Sequence, residues 1–278
     1  MPDEKPWARP LDDVLRLDRA GDGVFTAELC GFGGVTLGCA TRAAALTCPG
    51  RALHSLHTYF MRPVTRGATV EIAVEPLRDG RRFALRRVQV REGDKLLCEV
   101  MASFTAPGDG MEYQEVTVDP ATPPPEGLAT EEEIARAEGW KMEDPGPLGG
   151  PLEWRWIGIP WRPAEQASSR YLAWVRPRFP IGDDSALHAA AIAFLSDYHS
   201  HFPAARRLRA HFEPFGYASL DQVLWVHREC AWDDWWLLSS ESEIAHAGRA
   251  FTRRILHARD GKLVASMAQE QLIPPAAG

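Results

Sequence analysis

Long apolar runs are missing from this chain. No stretch approaches the roughly 18 uninterrupted apolar residues of a membrane span, so no membrane insertion is expected. Cysteine is scarce and unpatterned. Cys30, Cys39, Cys48, Cys98 and Cys230 are an odd number without a C-x-x-C pair, which points to reduced, mostly buried thiols. A basic excess is missing as well. Lys and Arg number 31 against 38 Asp and Glu, a formal charge of −7 with the basic residues scattered, which argues against nucleic acid as a partner. There is no G-x-S-x-G elbow, which counts against an α/β serine hydrolase. The nine histidines do not sit at metal spacing: His199 and His201 are two apart, His54 and His57 three, and no H-E-x-x-H occurs. No metal or other cofactor is therefore expected. Gly31-Phe32-Gly33-Gly34 lacks the third glycine of a dinucleotide loop, since position 36 is Thr. The amino-terminal MPDEKPWARPLDDVL is charged and proline-bearing, unlike a signal peptide, so a cytoplasmic location is expected.

What is present is a 278-residue chain, 45% hydrophobic, enough for one large domain or two of ordinary size. Residues 6–20 read as an arm with an amphipathic turn, 23–30 as a strand and 31–34 as a turn. A helix follows over about Val35–Thr47, then strands at Ala52–Met61, Thr69–Leu77, Phe83–Arg91 and Lys95–Phe104. Prolines at 123–125 and 145–151 frame an acidic helical piece, Glu131–Glu138. The second half predicts strands at Leu152–Ile159 and Tyr171–Pro177, a helix over Ser185–His201, and strands at Leu208–Glu213, Ala218–Arg228, Trp235–Ile244, Phe251–His257 and Leu263–Ile273. The expected division is 1–107 for a first unit with its arm, 108–150 for a linker and 151–278 for a second unit.

Both halves read as a long helix followed by an antiparallel meander, and the residues support a duplication. GRRFALRRVQVREG (Gly80–Gly93) lies over GRAFTRRILHARDG (Gly248–Gly261) at a constant offset of 168, the distance from Gly80 to Gly248. The fold class expected is α+β, two copies of one unit whose sheets pack on helices.

A duplicated chain can be compared with itself. On the last strand of each half, Ala102 in the first becomes Gln269 in the second. Aligning YFMRP with WVHRE sets Leu53 opposite Ser219, and the first-half helix VTLGCATRAAAL has no carboxylate where the second carries Asp197. Asp197 is badly placed for stability, near the negative end of its own helix dipole and resistant to burial. A carboxylate, a hydroxyl and an amide together can hold and activate one water, the carboxylate as base and the neutral groups orienting it or stabilising developing charge.

At these residues a resemblance becomes specific. HSLHTYFMRP (His54–Pro63), LRDGRRFALRRV (Leu77–Val88), FLSDY (Phe194–Tyr198), SLDQVLWVHR (Ser219–Arg228) and GKLVASMAQE (Gly261–Glu270) resemble the acyl-CoA thioesterase II family in order, from about residue 20 to 273 apart from the linker. The resemblance implies a double hotdog fold, in which each of two units wraps a long helix in an antiparallel sheet. It also implies hydrolysis of fatty acyl-CoA to free acid and CoA, without metal or covalent intermediate. The family's Asp, Thr or Ser, and Gln fall on Asp197, Ser219 and Gln269. Val35 and Cys39 depart from a pair of glutamines in the family's first helix, which implies an altered acyl preference. Ser219 stands where Thr is common, and Glu229 replaces the usual proline. A homo-oligomer is expected.

Rival readings use other residues. Asp221 shares a face with Ser219 on a regular strand and competes as the base. Asp183 and His188 have the spacing of a hotdog hydratase, although Asp at a helix start is ordinarily a cap. His54 is read as a substrate contact or a satisfied interior histidine. Trp232, Trp235 and Trp236 are read as packing or an oligomer surface. A non-catalytic acyl-CoA or acyl-carrier-protein binding module is the alternative from another class, motivated by Val35 and Cys39. The acyl chain is expected in an apolar slot between the units.

Overall fold

The computed structural model describes residues 9–139, 150–158, 169–208, 217–229 and 231–273. Twelve strands form one antiparallel sheet: β1 Asp18–Gly21, β2 Val24–Leu29, β3 Ala52–Phe60, β4 Ala68–Asp79, β5 Phe83–Glu92, β6 Lys95–Thr105, β7 Leu152–Ile157, β8 Tyr171–Pro177, β9 Ala218–Val226, β10 Trp236–His246, β11 Arg249–Ala258 and β12 Leu263–Leu272. The helices are α1 Leu11–Val14, α2 Gly33–Leu46, α3 Glu131–Ala137, α4 Ser185–Asp197 and α5 Phe202–Leu208.

The strand order, β1-β2-β4-β5-β6-β3-β9-β12-β11-β10-β8-β7, reads the same from either end once the second half is mapped on the first. The expected double hotdog is what the chain builds. The two half-sheets join through β3 and β9, where His57 faces Val223. Those two residues are mates in the Leu53–Ser219 alignment, so a pseudo-twofold axis passes between them. The two long helices also pack on each other, and a Cβ at Gly38 would come within 3.2 Å of the Ala190 carbonyl. Register irregularities match too. β3 skips a residue between Leu53 and Ser55 where it pairs β6, and the β9–β12 ladder shifts at Ser219 and Gln271.

The central helices contain few large side chains because they are buried against the sheet and each other. Ten of the 13 residues of α4, from Ala186 through Asp197, are buried. Each carboxyl end is held by one arginine at matching repeat positions. Arg86 donates to the Thr47 carbonyl at 3.1 Å, and Arg254 donates to the Leu195 and Ser196 carbonyls at 3.1 and 2.8 Å. Helix ends leave such carbonyls without intrahelical partners.

Several expectations are corrected. The second-half helix stops at Asp197, not His201, because His199 takes a left-handed φ of 56° and the chain re-enters helix as α5. Leu208, expected to begin a strand, ends α5, and residues 209–213 lie outside the described residues. Gly33 and Gly34, expected in a turn, form the first turn of α2. The arm carries a short strand, β1, which adds to the sheet edge beside β2. Trp232, Trp235 and Trp236 are all buried within the chain, Trp232 stacked on Trp236 at 4.8 Å, so their role is packing. Part of the proline-rich stretch lies along the second half-sheet. Trp174 Nε1 donates to the Pro123 carbonyl, and Val118 and Leu128 pack with Trp174, Trp235 and Leu237.

Candidate active site

Asp197 is the last residue of α4, Ser219 lies near the start of β9 and Gln269 lies on β12. The fold brings all three together. Ser219 Oγ donates to Asp197 Oδ1 at 2.8 Å, Gln269 Nε2 donates to the same oxygen at 2.7 Å, and Gln269 Nε2 lies 2.7 Å from Ser219 Oγ. Gln269 reaches this point because the inward column of β12 ends Met267, Gln269, Gln271, all buried. Its Oε1 is buried and has no hydrogen-bond partner among the described residues.

The second oxygen, Asp197 Oδ2, faces the amino end of α2. A Cβ built on Gly33 would lie 2.7 Å from it, so this position admits no side chain. Phe32, the N-cap residue, makes no side-chain cap; the Val35 and Thr36 amides turn back to its carbonyl at 3.1 and 3.3 Å, and the Gly34 amide points to Asp197. Burial pushes the Asp197 carboxyl above the ordinary aspartate range. Hydrogen bonds from Ser219 and Gln269, the charge of Arg254 and the Gly34 amide pull it back without cancelling that rise.

Two more polar side chains buttress this group. Gln222 is fully buried opposite Gln269 on β9 and donates from Nε2 to Ser196 Oγ. Gln271 donates to the Ser200 carbonyl at 3.2 Å, just beyond the end of α4. Gln222 was missed in the sequence, although the same internal alignment sets it against apolar Leu56.

The rival residues are used elsewhere. Because the β9–β12 ladder is irregular, Asp221 does not continue a regular column with Ser219. Its Oδ1 accepts from the Glu270 amide at 3.1 Å. His188 has both ring nitrogens engaged: Nε2 bonds the Gly182 carbonyl at 2.9 Å and Nδ1 accepts from the Trp232 amide at 3.1 Å. The cap of α4 is Asp184, not Asp183. His54 bonds Ser103 Oγ at 2.8 Å, as a satisfied histidine does. Val35 and Cys39 are buried in the core, and burial pushes the Cys39 thiol up to about 12. Among the described residues, no group of three or more His, Cys, Asp or Glu could hold a metal ion.

Comparison with known proteins agrees along the length of the chain. Residues 25–106 match the family model described as acyl-CoA thioesterase N-terminal domain, and 120–273 the one described as acyl-CoA thioesterase C-terminal domain. The chain is 28% identical to acyl-CoA thioesterase 2 of Haemophilus influenzae over 278 residues, 95% of this chain and 96% of that protein. It is 30% identical to acyl-coenzyme A thioesterase 8 of Mus musculus over 258 residues, 87% of this chain and 79% of that one. The crystal structure of an acyl-CoA thioesterase II from Mycobacterium marinum is similar with a TM-score of 0.79 at 29% identity, covering 96% of this chain and 99% of that chain.

Proposed function

This chain belongs to the acyl-CoA thioesterase II family, and from that premise we propose that it hydrolyses fatty acyl-CoA by direct attack of a water molecule that Asp197 deprotonates. The observation that carries the reading is the sharing of labour between the two carboxylate oxygens. Oδ1 is taken by Ser219 and Gln269, while Oδ2 faces the amino end of α2, which has no side-chain cap of its own.

A thioester seated between α2 and β9 presents its carbonyl carbon to a water held by Asp197. The water oxygen bonds to that carbon as its proton passes to the carboxylate. The backbone N–H of Gly33, at the start of α2, receives the negative charge that builds on the carbonyl oxygen, where helix polarity favours it. The C–S bond then breaks, the sulfur leaves as CoA thiolate, and the proton held by Asp197 neutralises it. Gln269 and Ser219 keep the carboxylate aimed throughout. No covalent intermediate is required.

The test is steady-state release of free CoA across acyl-CoA chain lengths. Turnover on at least one length is expected, falling by roughly a hundredfold or more in Asp197→Ala. No turnover on any length would sink the hydrolytic reading. Less than about a tenfold loss in Asp197→Ala would remove Asp197 as the base.

A further inference from the structure

A cavity of about 270 Å³ opens where the pseudo-twofold axis carries the Asp197 site, between the carboxyl end of α2 and the amino end of α4. The correspondence is positional. Asp197 ends the 13-residue α4, and the thirteenth residue of α2 is Ala45. Ser219 maps on Leu53. Ala45 and Leu53 both line this cavity, and Gln269 maps on Ala102. The carboxylate, hydroxyl and amide of one site are thus two alanines and a leucine in the other.

The remaining walls are mostly apolar, with Ile192, Ala189 and Val226 among them, and the acidic Asp183 and Glu229 are exposed at the rim. Arg51 is one of the polar residues on the walls. Its Nη2 donates to the Gly80 carbonyl at 2.8 Å, while its Nη1 is buried with no partner. A buried guanidinium N–H without an acceptor is costly, and an oxygen ligand would satisfy it. Arg228, also on the wall, is already bound to Gln114 and to the Leu263 carbonyl. The volume lies just under the ~300 Å³ at which ligand pockets begin, room for a short to medium chain.

We propose that this cavity is a second acyl-binding site, holding an acyl chain against Leu53 and Ile192 with its terminal oxygen on Arg51 Nη1, and unable to hydrolyse it. The inference rests on reading the Asp197 site as the hydrolytic one. Besides lacking the three groups, the second site has its helix end closed by a side chain: Asp184 Oδ1 accepts from the Ala186 and Leu187 amides at 3.0 and 3.1 Å, whereas Phe32 makes no such cap on α2. The ligand chemistry fits either a fatty carboxylate, the product, or the carbonyl of an acyl-CoA.

Isothermal titration separates these, using octanoate in one arm and a ketone analogue of octanoyl-CoA, with a methylene between sulfur and carbonyl, in the other. Leu53→Trp and Ala189→Leu fill the cavity, and two variants guard against a failure of either to fold. The expected result is that both remove one equivalent of bound ligand per chain. Arg51→Met weakens that equivalent by roughly tenfold or more, as loss of a hydrogen bond to a charged group does. CoA release from acyl-CoA stays at the wild-type rate in all three. A ligand count unchanged in both folded cavity-filling variants, in both arms, overturns the proposal. If hydrolysis is absent but an equivalent is lost on filling the cavity, the second site stands and the catalytic reading falls. If hydrolysis proceeds and no equivalent is lost, only the second site falls.

Discussion

Asp197, the proposed base, is a residue whose burial opposes stability. Its folded pKa is raised, first by burial. Between the ordinary aspartate value and that raised value the folded state keeps the proton and the unfolded state has lost it. Stability therefore falls as pH rises through this window, and above it the ionised carboxylate is a fixed cost to the fold. Asp197→Asn should raise the melting temperature at neutral pH, by on the order of 2–4 °C if about 1 kcal/mol is recovered. It should lower kcat by about a hundredfold or more. Calorimetry and kinetics on one preparation test both; a lower Tm in a well-folded Asp197→Asn would contradict the stability half. For the wild type, the acid limb of kcat/KM should sit above the ordinary aspartate range, because the base works only when deprotonated. The internal repeat made this residue legible, since it exposes positions that differ between halves. Ser219 and Gln269 were found the same way. Arg254 was not assigned a role, because its mate is also arginine and a comparison of differences passes over what both copies share.

Elements obey the same logic, with their ends harder to read than their middles. Alternating apolar residues fixed the strands of both meanders to within a few positions. The end of α4 escaped, because Tyr198 to His201 continue an apolar and aromatic pattern while His199 breaks the helix through its backbone. No periodicity encodes that. The two helix-end arginines provide a paired experiment. Arg254→Met removes the donors to two buried carbonyls and should cost on the order of 3 kcal/mol. Arg86→Met should destabilise in the same direction by a similar amount. Only the first should also reduce kcat, because Leu195 and Ser196 immediately precede Asp197, whereas Thr47 lies at the opposite end of α2 from Gly33. Urea denaturation with parallel kinetics checks this; equal losses of kcat in the two variants would count against it.

At the scale of the molecule, the two units are not independent domains joined by a tether. β3 pairs β9 through the middle of the sheet, and α2 packs along α4. Thermal unfolding should accordingly be one cooperative transition, with calorimetric and van't Hoff enthalpies in agreement; two resolved transitions would show the halves to be separable. The duplicated architecture was legible because hydrophobic period and repeat pointed to the same answer. The packing of residues 114–128 against the second unit was not, because proline-rich composition looks alike whether a segment hangs free or lies down. One consequence of α2 starting without a side-chain cap concerns spectroscopy. A carbonyl seated there points its oxygen into the positive end of an oriented row of peptide dipoles, so its C=O bond is polarised and its stretching band moves to lower frequency. At the mate position the Asp184 side chain caps the Ala186 and Leu187 amides, and the same carbonyl should vibrate at higher frequency. The infrared spectrum of an isotope-labelled carbonyl would then report two environments in one chain, one electrostatically tensioned and one relaxed.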